Sequence, residues 1–262
     1  MKKLLIFLSV LLLVAGAGTT SASAFYYDFE TGIPTGWSNI SNPESVQGYA
    51  GLASGTNVFS GNFLRNETGG YALTAPFASI AQTPTTLTLT ELPTHNSISL
   101  GFLLAIIDSW DGSSTAKISK YPVGPDNFNV RVDGNTIFSK TFSNDPNKTQ
   151  TYQGAKLGSG LSARGFNSDW LDSAYDMGLD SAFKNISHTG ATLTVEWFAS
   201  GPGWQGINAL FGSTHDESWA IDNVRIDLSL DGNPVPLPPT ALLLGSGLLG
   251  LGLLGFRKKR KA

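Results

Sequence analysis

Residues 98–107 read ISLGFLLAII, an almost continuous apolar run. A run of this length without a polar face is typical of a central strand that is covered on both sides of a sheet. Shorter segments around it alternate between apolar and polar residues: TTLTLT (85–90), NVRVD (129–133), TLTVEWF (192–198) and VRIDL (224–228). Alternation with period 2 places apolar side chains on one face of a strand. The pattern predicts an all-β antiparallel sandwich.

Two local signals refine this prediction. Asp133 and Gly134 separate two apolar segments and favour a two-residue hairpin, because glycine accepts a positive φ. Residues 171–185 (LDSAYDMGLDSAFKN) come nearest to helical spacing, and we expect one short helix or a structured loop on the sheet there.

One segment stands out at each end of the predicted sandwich. Residues 27–37 read YDFETGIPTGW and residues 216–226 read DESWAIDNVRI. Together they resemble the first and last strands of concanavalin-like and MAM-like jelly-roll sandwiches. The resemblance implies that the terminal strands are neighbours in one sheet of a domain spanning residues 25–230.

The N-terminus has the three parts of a secretory signal peptide. Lys2 and Lys3 precede an apolar core at residues 4–14, and Ala22-Ser23-Ala24 supplies a small-residue cleavage pattern. Residues 1–24 are therefore predicted to be a signal peptide, and the exported chain to begin at Phe25.

The C-terminus carries a second targeting segment. A Pro-rich linker (231–240) contains Val235, Pro236, Leu237 and Pro238, an apolar run (241–256) follows, and the tail (257–262) contains Arg257, Lys258, Lys259, Arg260 and Lys261. The apolar run predicts a transmembrane helix, and the cations favour the cytoplasmic side.

This order of motif, apolar helix and basic end resembles the sorting signal of the PEP-CTERM proteins of Gram-negative bacteria. Leu237 stands where that family usually has an acidic residue. The resemblance implies an exosortase-type processing enzyme and the membrane as partners, and release of the protein to the cell surface or extracellular matrix. The alternative is a plain tail anchor that is never cut.

Composition excludes several classes of function. The chain has no cysteine, so it has neither disulfides nor thiolate metal sites. Across residues 25–231, 10 basic residues stand against 20 carboxylates, a net charge of −10. Such a surface repels nucleic acid, and three scattered histidines do not suggest a zinc site.

If the terminal strands pair, Asp28, Glu30 and Asp222 approach one another at a sheet edge. Clustered carboxylates repel, and a calcium ion relieves the repulsion. The resemblance carries a structural calcium to these three residues. The alternative is that they are exposed carboxylates that cap turns.

A few tryptophans suggest contact with carbohydrate. Trp204 and Gln205 lie in a Gly-rich segment, and Trp110 stands beside Asp111. Exposed rings in such places stack on sugars, whereas Trp37, Trp197 and Trp219 are expected to pack between the sheets. For Trp204 a core position is the alternative.

Signals of catalysis are missing from the sequence. It contains no nucleophile elbow, no His-Glu-x-x-His motif and no phosphate loop. We therefore expect a non-catalytic surface or matrix protein with an adhesive or polysaccharide-contacting role. The alternatives are a purely structural coat protein without a specific ligand and a carbohydrate-active hydrolase.

Overall fold

The computed structural model describes residues 24–38, 49–54, 57–67, 83–118, 121–122, 124–154, 156–159, 172–202, 204 and 217–230. The sorting motif, the predicted transmembrane helix and most of the signal peptide lie outside the described residues. Within them, two antiparallel sheets form the body of the protein. This confirms the prediction of an all-β sandwich.

Sheet A has the order β1 (Ala24–Tyr27), β16 (Ser218–Ser229), β7 (Ser97–Ile107), β13 (Ser173–Asp176), β12 (Lys156–Ser159), with β14 (Ile186–Ser187) beside β7 and β5 (Leu64–Glu67) beside β16. Sheet B has the order β11 (Asn135–Thr141), β10 (Asn127–Val132), β15 (Leu193–Ser200), β6 (Thr85–Leu89), β2 (Trp37–Ser38). Two further hairpins are β3 (Tyr49–Ser54) with β4 (Asn57–Gly61), and β8 (Lys117–Ile118) with β9 (Tyr121–Pro122).

Strand β7 is the centre of sheet A, as the apolar run at 98–107 predicts. It pairs with β16 on one side and with β13 and β14 on the other. Its residues alternate between two apolar clusters: Phe102 belongs to the large core between the sheets and Leu103 to a smaller cluster that contains Phe63. Burial on both faces explains why this strand has no polar face.

The terminal strands are neighbours, which confirms the pairing that the sequence implies. Strand β1 runs antiparallel to β16, with Tyr26 opposite Arg225 and Tyr27 opposite Val224. The first and last described strands therefore meet in one sheet and close the domain.

The predicted hairpin at Asp133 is also confirmed. Val132 and Asn135 are partners in the β10–β11 ladder, and Asp133 and Gly134 form the turn with φ angles of 48° and 75°. Two consecutive positive φ angles match the right-handed twist of the flanking strands, which is why Asp-Gly suits this position.

Residues 172–185 correct the sequence interpretation. Ser173–Asp176 form β13 and pair with β7, so the expectation of a helix is wrong there. Two short 3₁₀ turns follow, Met177–Leu179 and Ser181–Phe183, and the side chains of Asp176 and Asp180 cap them. Sheet pairing satisfies the backbone of β13, which overrides the helical spacing. The remainder agrees with the alternative expectation of a structured loop.

Aromatic rings fill much of the core. Trp197 and Trp219 are completely buried, and Trp37 stacks on Trp197 with ring centroids 5.3 Å apart. Phe128 meets Trp219 edge-on at 5.2 Å. The prediction that these three tryptophans pack between the sheets is confirmed.

In the part of the chain that the structure describes, no helix has the length and apolar character needed to cross a bilayer.

The core makes stability sensitive to alkaline pH. Burial, followed by the charges of Asp180, Tyr175 and Asp176, raises the pKa of Tyr152 to about 12. In the unfolded chain this phenol ionises near pH 10. Its contribution to stability is therefore complete below pH 10 and is lost as pH rises toward about 12.

We expect Tyr152→Phe to reduce the loss of stability between pH 10 and about 12, because phenylalanine fills the same space and does not ionise. Urea unfolding at several alkaline pH values measures this. An unchanged pH slope in the variant would contradict the assignment. Ile33→Ala, at an exposed residue that does not ionise, serves as the control.

Candidate functional sites

The predicted sugar-stacking tryptophans lie in the core. Trp110 and Trp204 have no exposed surface, and their ring centroids are 5.0 Å apart. The Trp110 indole donates a hydrogen bond of 2.9 Å to the Ser218 carbonyl oxygen. The expectation that Trp110 is exposed is wrong, and Trp204 takes the core position that was its alternative, because the two rings pack on each other. Gln205 lies outside the described residues.

The structure does not assemble the predicted calcium ligands into one group. Asp222 is buried and Asp28 half-buried, whereas Glu30 is exposed. The Glu30 carboxylate accepts a hydrogen bond from the backbone N–H of Asn62, and the Asp222 carboxylate accepts one from the backbone N–H of Asn223. A calcium ion at Asp28, Glu30 and Asp222 stays a prediction.

A different trio of acids does come together. Among the described residues, Asp111, Asp126 and Glu217 form the group whose ligand atoms all lie within 4.8 Å of one another. Asp126 and Glu217 are 0% and 2% exposed. Asp111 follows β7, Asp126 immediately precedes β10, and Glu217 immediately precedes β16. The sequence analysis missed this trio because its members are far apart in the chain.

Charge in this trio is partly balanced. Lys148 makes an ion pair with Asp111. Burial raises the pKa of the Asp111 carboxyl, and the Lys148 ammonium acts in the opposite direction. The same ion pair raises the pKa of Lys148 against the effect of its own burial. Three carboxylates and one ammonium suit an additional cation, but such groups also occur without one, so the trio by itself assigns no ion.

A polar cleft of about 410 Å³ lies on the outer face of sheet A. Its floor is the segment 99–102 of β7, and its walls come from β1, β4, β16 and the 3₁₀ turn after β13. The lining residues are Tyr26, Asn57, Ser99, Leu100, Gly101, Phe102, Asp176, Gly178, Leu179, Lys184, Asn223, Arg225 and Asp227. A Cβ atom added at Gly101 would lie 3.7 Å from the Gly178 Cα, so the two glycines face each other closely in this region.

A chain of hydrogen bonds orders one wall of the cleft. The Tyr26 hydroxyl donates to Asn223 Oδ1 at 2.5 Å, and the Asn223 amide donates to Asn57 Oδ1 at 3.0 Å. The Asn57 amide in turn donates to Asp176 Oδ2 at 3.3 Å, and Asp176 Oδ1 accepts from the Gly178 backbone at 3.0 Å. Each side chain is oriented by the next, so the polar groups are positioned before any ligand arrives.

A bulge in β16 supplies the central member of this chain. The pairing between β16 and β7 shifts register between Asp222 and Arg225, and Asn223 has a φ of 51°. Bulges redirect side chains and often occur beside functional sites. A sequence signal existed: the inward residues Trp219 and Ile221 are two apart, but Val224 follows Ile221 after three.

Charges surround the cleft on two sides. Arg225 bonds Asp227 through its Nε at 2.7 Å and 2.9 Å, and Lys184 is exposed at the rim. At the other side, burial and then the charges of Asp222, Asp28 and Glu30 raise the pKa of Tyr26. The three acids that the sequence groups together thus act on the phenol of the cleft. Tyr26 and Leu179 remain 57% and 73% exposed, so apolar surface stays open to solvent.

Comparison with protein-family models and with curated proteins finds no match to this chain.

We expect removal of divalent cations by a chelator to lower the melting temperature by several degrees, because carboxylates that share a calcium ion repel once it leaves. Calorimetry of the calcium-loaded and chelated protein measures this. An identical melting temperature would contradict the calcium prediction.

Two matched variants distinguish the two candidate ligand sets. Asp126→Asn keeps an acceptor for the Asp111 amide, which now bonds Asp126 Oδ2 at 2.6 Å, and removes one charge from the trio. Asp28→Asn does the same at the sequence-predicted position. The variant that loses the chelator effect identifies the ligand set.

Proposed function

We propose that this chain is an exported, non-catalytic surface or matrix protein that contacts polysaccharide through the outer-face cleft of its sandwich. The observation that carries the proposal is the exposed Tyr26 ring at the head of the ordered row of side chains formed with Asn223, Asn57 and Asp176. The proposal includes a jelly-roll topology for the sandwich and a membrane helix at residues 241–256.

Export rests on the sequence. A signal peptide at 1–24 and a PEP-CTERM-like signal from Val235 to the basic tail are ordered features with separate requirements. An exosortase-type enzyme would recognise the motif while the apolar run holds the chain at the inner membrane. The net charge of −10 on the exported part argues against nucleic acid as a partner.

The chemistry of the cleft suits a sugar ring. A pyranose has apolar C–H faces that pack on aromatic and aliphatic surface, and Tyr26 and Leu179 provide such surface. Its hydroxyl groups both donate and accept hydrogen bonds, and the amides of Asn57 and Asn223 offer both functions. The cleft volume of about 410 Å³ falls within the range of small-molecule sites.

The acids of the cleft support binding rather than hydrolysis. Glycoside hydrolysis uses two carboxylates that flank the scissile bond, one as an acid and one as a base or nucleophile. Asp176 caps a 3₁₀ turn and accepts from Asn57, while Asp227 is paired with Arg225. These contacts support a role for both carboxylates in holding the walls of the cleft.

We expect Tyr26→Ala to weaken binding to a retained glycan at least about tenfold, which corresponds to ~1.4 kcal/mol of binding free energy. The variant removes the ring and the hydrogen bond to Asn223 together. The measurement is an array of neutral, acidic and amino-sugar oligosaccharides, followed by calorimetric titration of each ligand retained.

Matched variants separate the loss of the Tyr26 ring from the loss of its hydrogen bond to Asn223. Tyr26→Phe keeps the ring and should retain more affinity than Tyr26→Ala, and Asn57→Ala should weaken binding by breaking the row at its middle. Ile33→Ala removes exposed apolar surface outside the cleft lining and should bind as the unmodified protein does.

If Tyr26→Ala binds the glycan with unchanged affinity, the cleft is not the binding site. Absence of any saturable ligand, together with strong self-association, would favour the structural coat protein. Turnover of a retained glycan that disappears in Asp176→Asn or Asp227→Asn would favour the hydrolase.

A further inference from the structure

Two buried histidines lie in the two connections that cross from one sheet to the other at one end of the sandwich. His95 lies between β6 of sheet B and β7 of sheet A, and His188 lies between β14 of sheet A and β15 of sheet B. They are 4% and 7% exposed. We call this pair the histidine clamp.

The two rings lie edge to edge. His95 Nε2 and His188 Nδ1 are 2.6 Å apart, and the ring planes differ by 13°. A contact this short between two ring nitrogens requires one proton between them, donated by one ring and accepted by the other.

The outer nitrogens face acceptors alone. His95 Nδ1 is 2.6 Å from the Pro93 carbonyl oxygen. His188 Nε2 is 3.1 Å from the Thr192 carbonyl oxygen and 3.1 Å from Asp133 Oδ2. A carbonyl oxygen cannot donate, so each outer nitrogen must carry a proton for its contact to be a hydrogen bond.

The clamp therefore needs three protons, whereas two neutral imidazoles carry two. We propose that His95 and His188 hold one shared extra proton, with a total charge of +1 that the Asp133 carboxylate balances. Asp133 comes from the β10–β11 turn, a third element packed against the pair. Among the described residues, no other charged side chain makes a hydrogen bond or ion pair with either ring.

The shared proton makes the clamp sensitive to pH in both directions. A second added proton places two N–H groups face to face at 2.6 Å, which breaks the contact between the rings. Loss of the shared proton leaves one of the three contacts without a donor. All three contacts are made only in the singly charged state, so the clamp acts as a pH-sensitive fastening between the sheets in a chain that has no disulfide.

The sign of the effect follows from proton counts. At high pH the folded clamp holds one proton more than the unfolded chain, so its stabilisation falls as pH rises. At low pH the unfolded chain holds two added protons and the folded clamp one, so its stabilisation falls as pH falls. The contribution therefore has a maximum at an intermediate pH, and measurements from about pH 5 to 8 cover the range in which histidines in proteins change charge.

Nitrogen NMR of the full chain in detergent, labelled with ¹⁵N only in histidine, tests the proton count directly. The sequence has three histidines, and His215→Gln identifies the third ring. We expect protonated Nδ1 in His95, protonated Nε2 in His188 and one proton shared between the inner nitrogens. Two neutral rings, or two imidazolium rings, throughout this pH range would overturn the proposal.

Urea unfolding of the same chain gives the second readout. The difference in unfolding midpoint between the unmodified chain and the His95→Gln/His188→Gln variant should pass through a maximum with pH. Asp133→Asn should shift the alkaline side of that maximum to lower pH, because it removes the balancing charge. Asparagine can still accept the 2.9 Å hydrogen bond from the Thr194 amide and tolerates the positive φ of this turn. A difference that is flat with pH would contradict the clamp.

Discussion

The antiparallel ladder between β7 and β16 organises the sandwich. It runs from the pair Ser97–Ser229 to the pair Ile107–Ser218 and places two buried strands side by side in sheet A. The side chains that β7 directs inward meet sheet B and form the aromatic core. Strand β1 joins the free side of β16, which closes the domain. The bulge at Asn223 interrupts the same ladder, and that interruption redirects one amide into the cleft.

The sequence predicts features whose cause is local and fails where the cause is distant. The run at 98–107 and the pair Asp133-Gly134 determine their own backbone conformation, so strand and turn were both predictable. The sequence left exposure and burial of Trp204 both open because it lies in a Gly-rich segment, and its burial depends on contact with Trp110, far away in the chain. The cleft combines five segments, and the trio around Asp126 combines three, so spacing alone could not reveal either. The three-residue step from Ile221 to Val224 was the one local clue to the bulge.

A chain without cysteine must hold its terminal strands and the connections between its sheets without disulfides. The aromatic core supplies non-directional stabilisation, and polar groups fix particular contacts within it. The histidine clamp joins the two connections between the sheets. The hydrogen-bonded side chains from Tyr26 to Asp176 join β1, β16, β4 and the turn after β13. These polar contacts respond to charge and protonation, whereas the packing of the phenylalanine and tryptophan rings does not. Burial, followed by the charges of Asp222, Asp28 and Glu30, raises the pKa of Tyr26 beside the cleft.

Contact with polysaccharide requires that the sandwich reach the outside of the cell, and signal-peptide cleavage bears on the cleft itself. Removal of residues 1–24 leaves Phe25, Tyr26 and Tyr27 of β1, still opposite Ile226, Arg225 and Val224. The most direct test is the intact mass of the native protein from cytoplasmic, membrane and extracellular fractions. The account predicts an extracellular species that begins at Phe25 and lacks the apolar run after the motif at Val235. A cytoplasmic species with the mass of all 262 residues would contradict it.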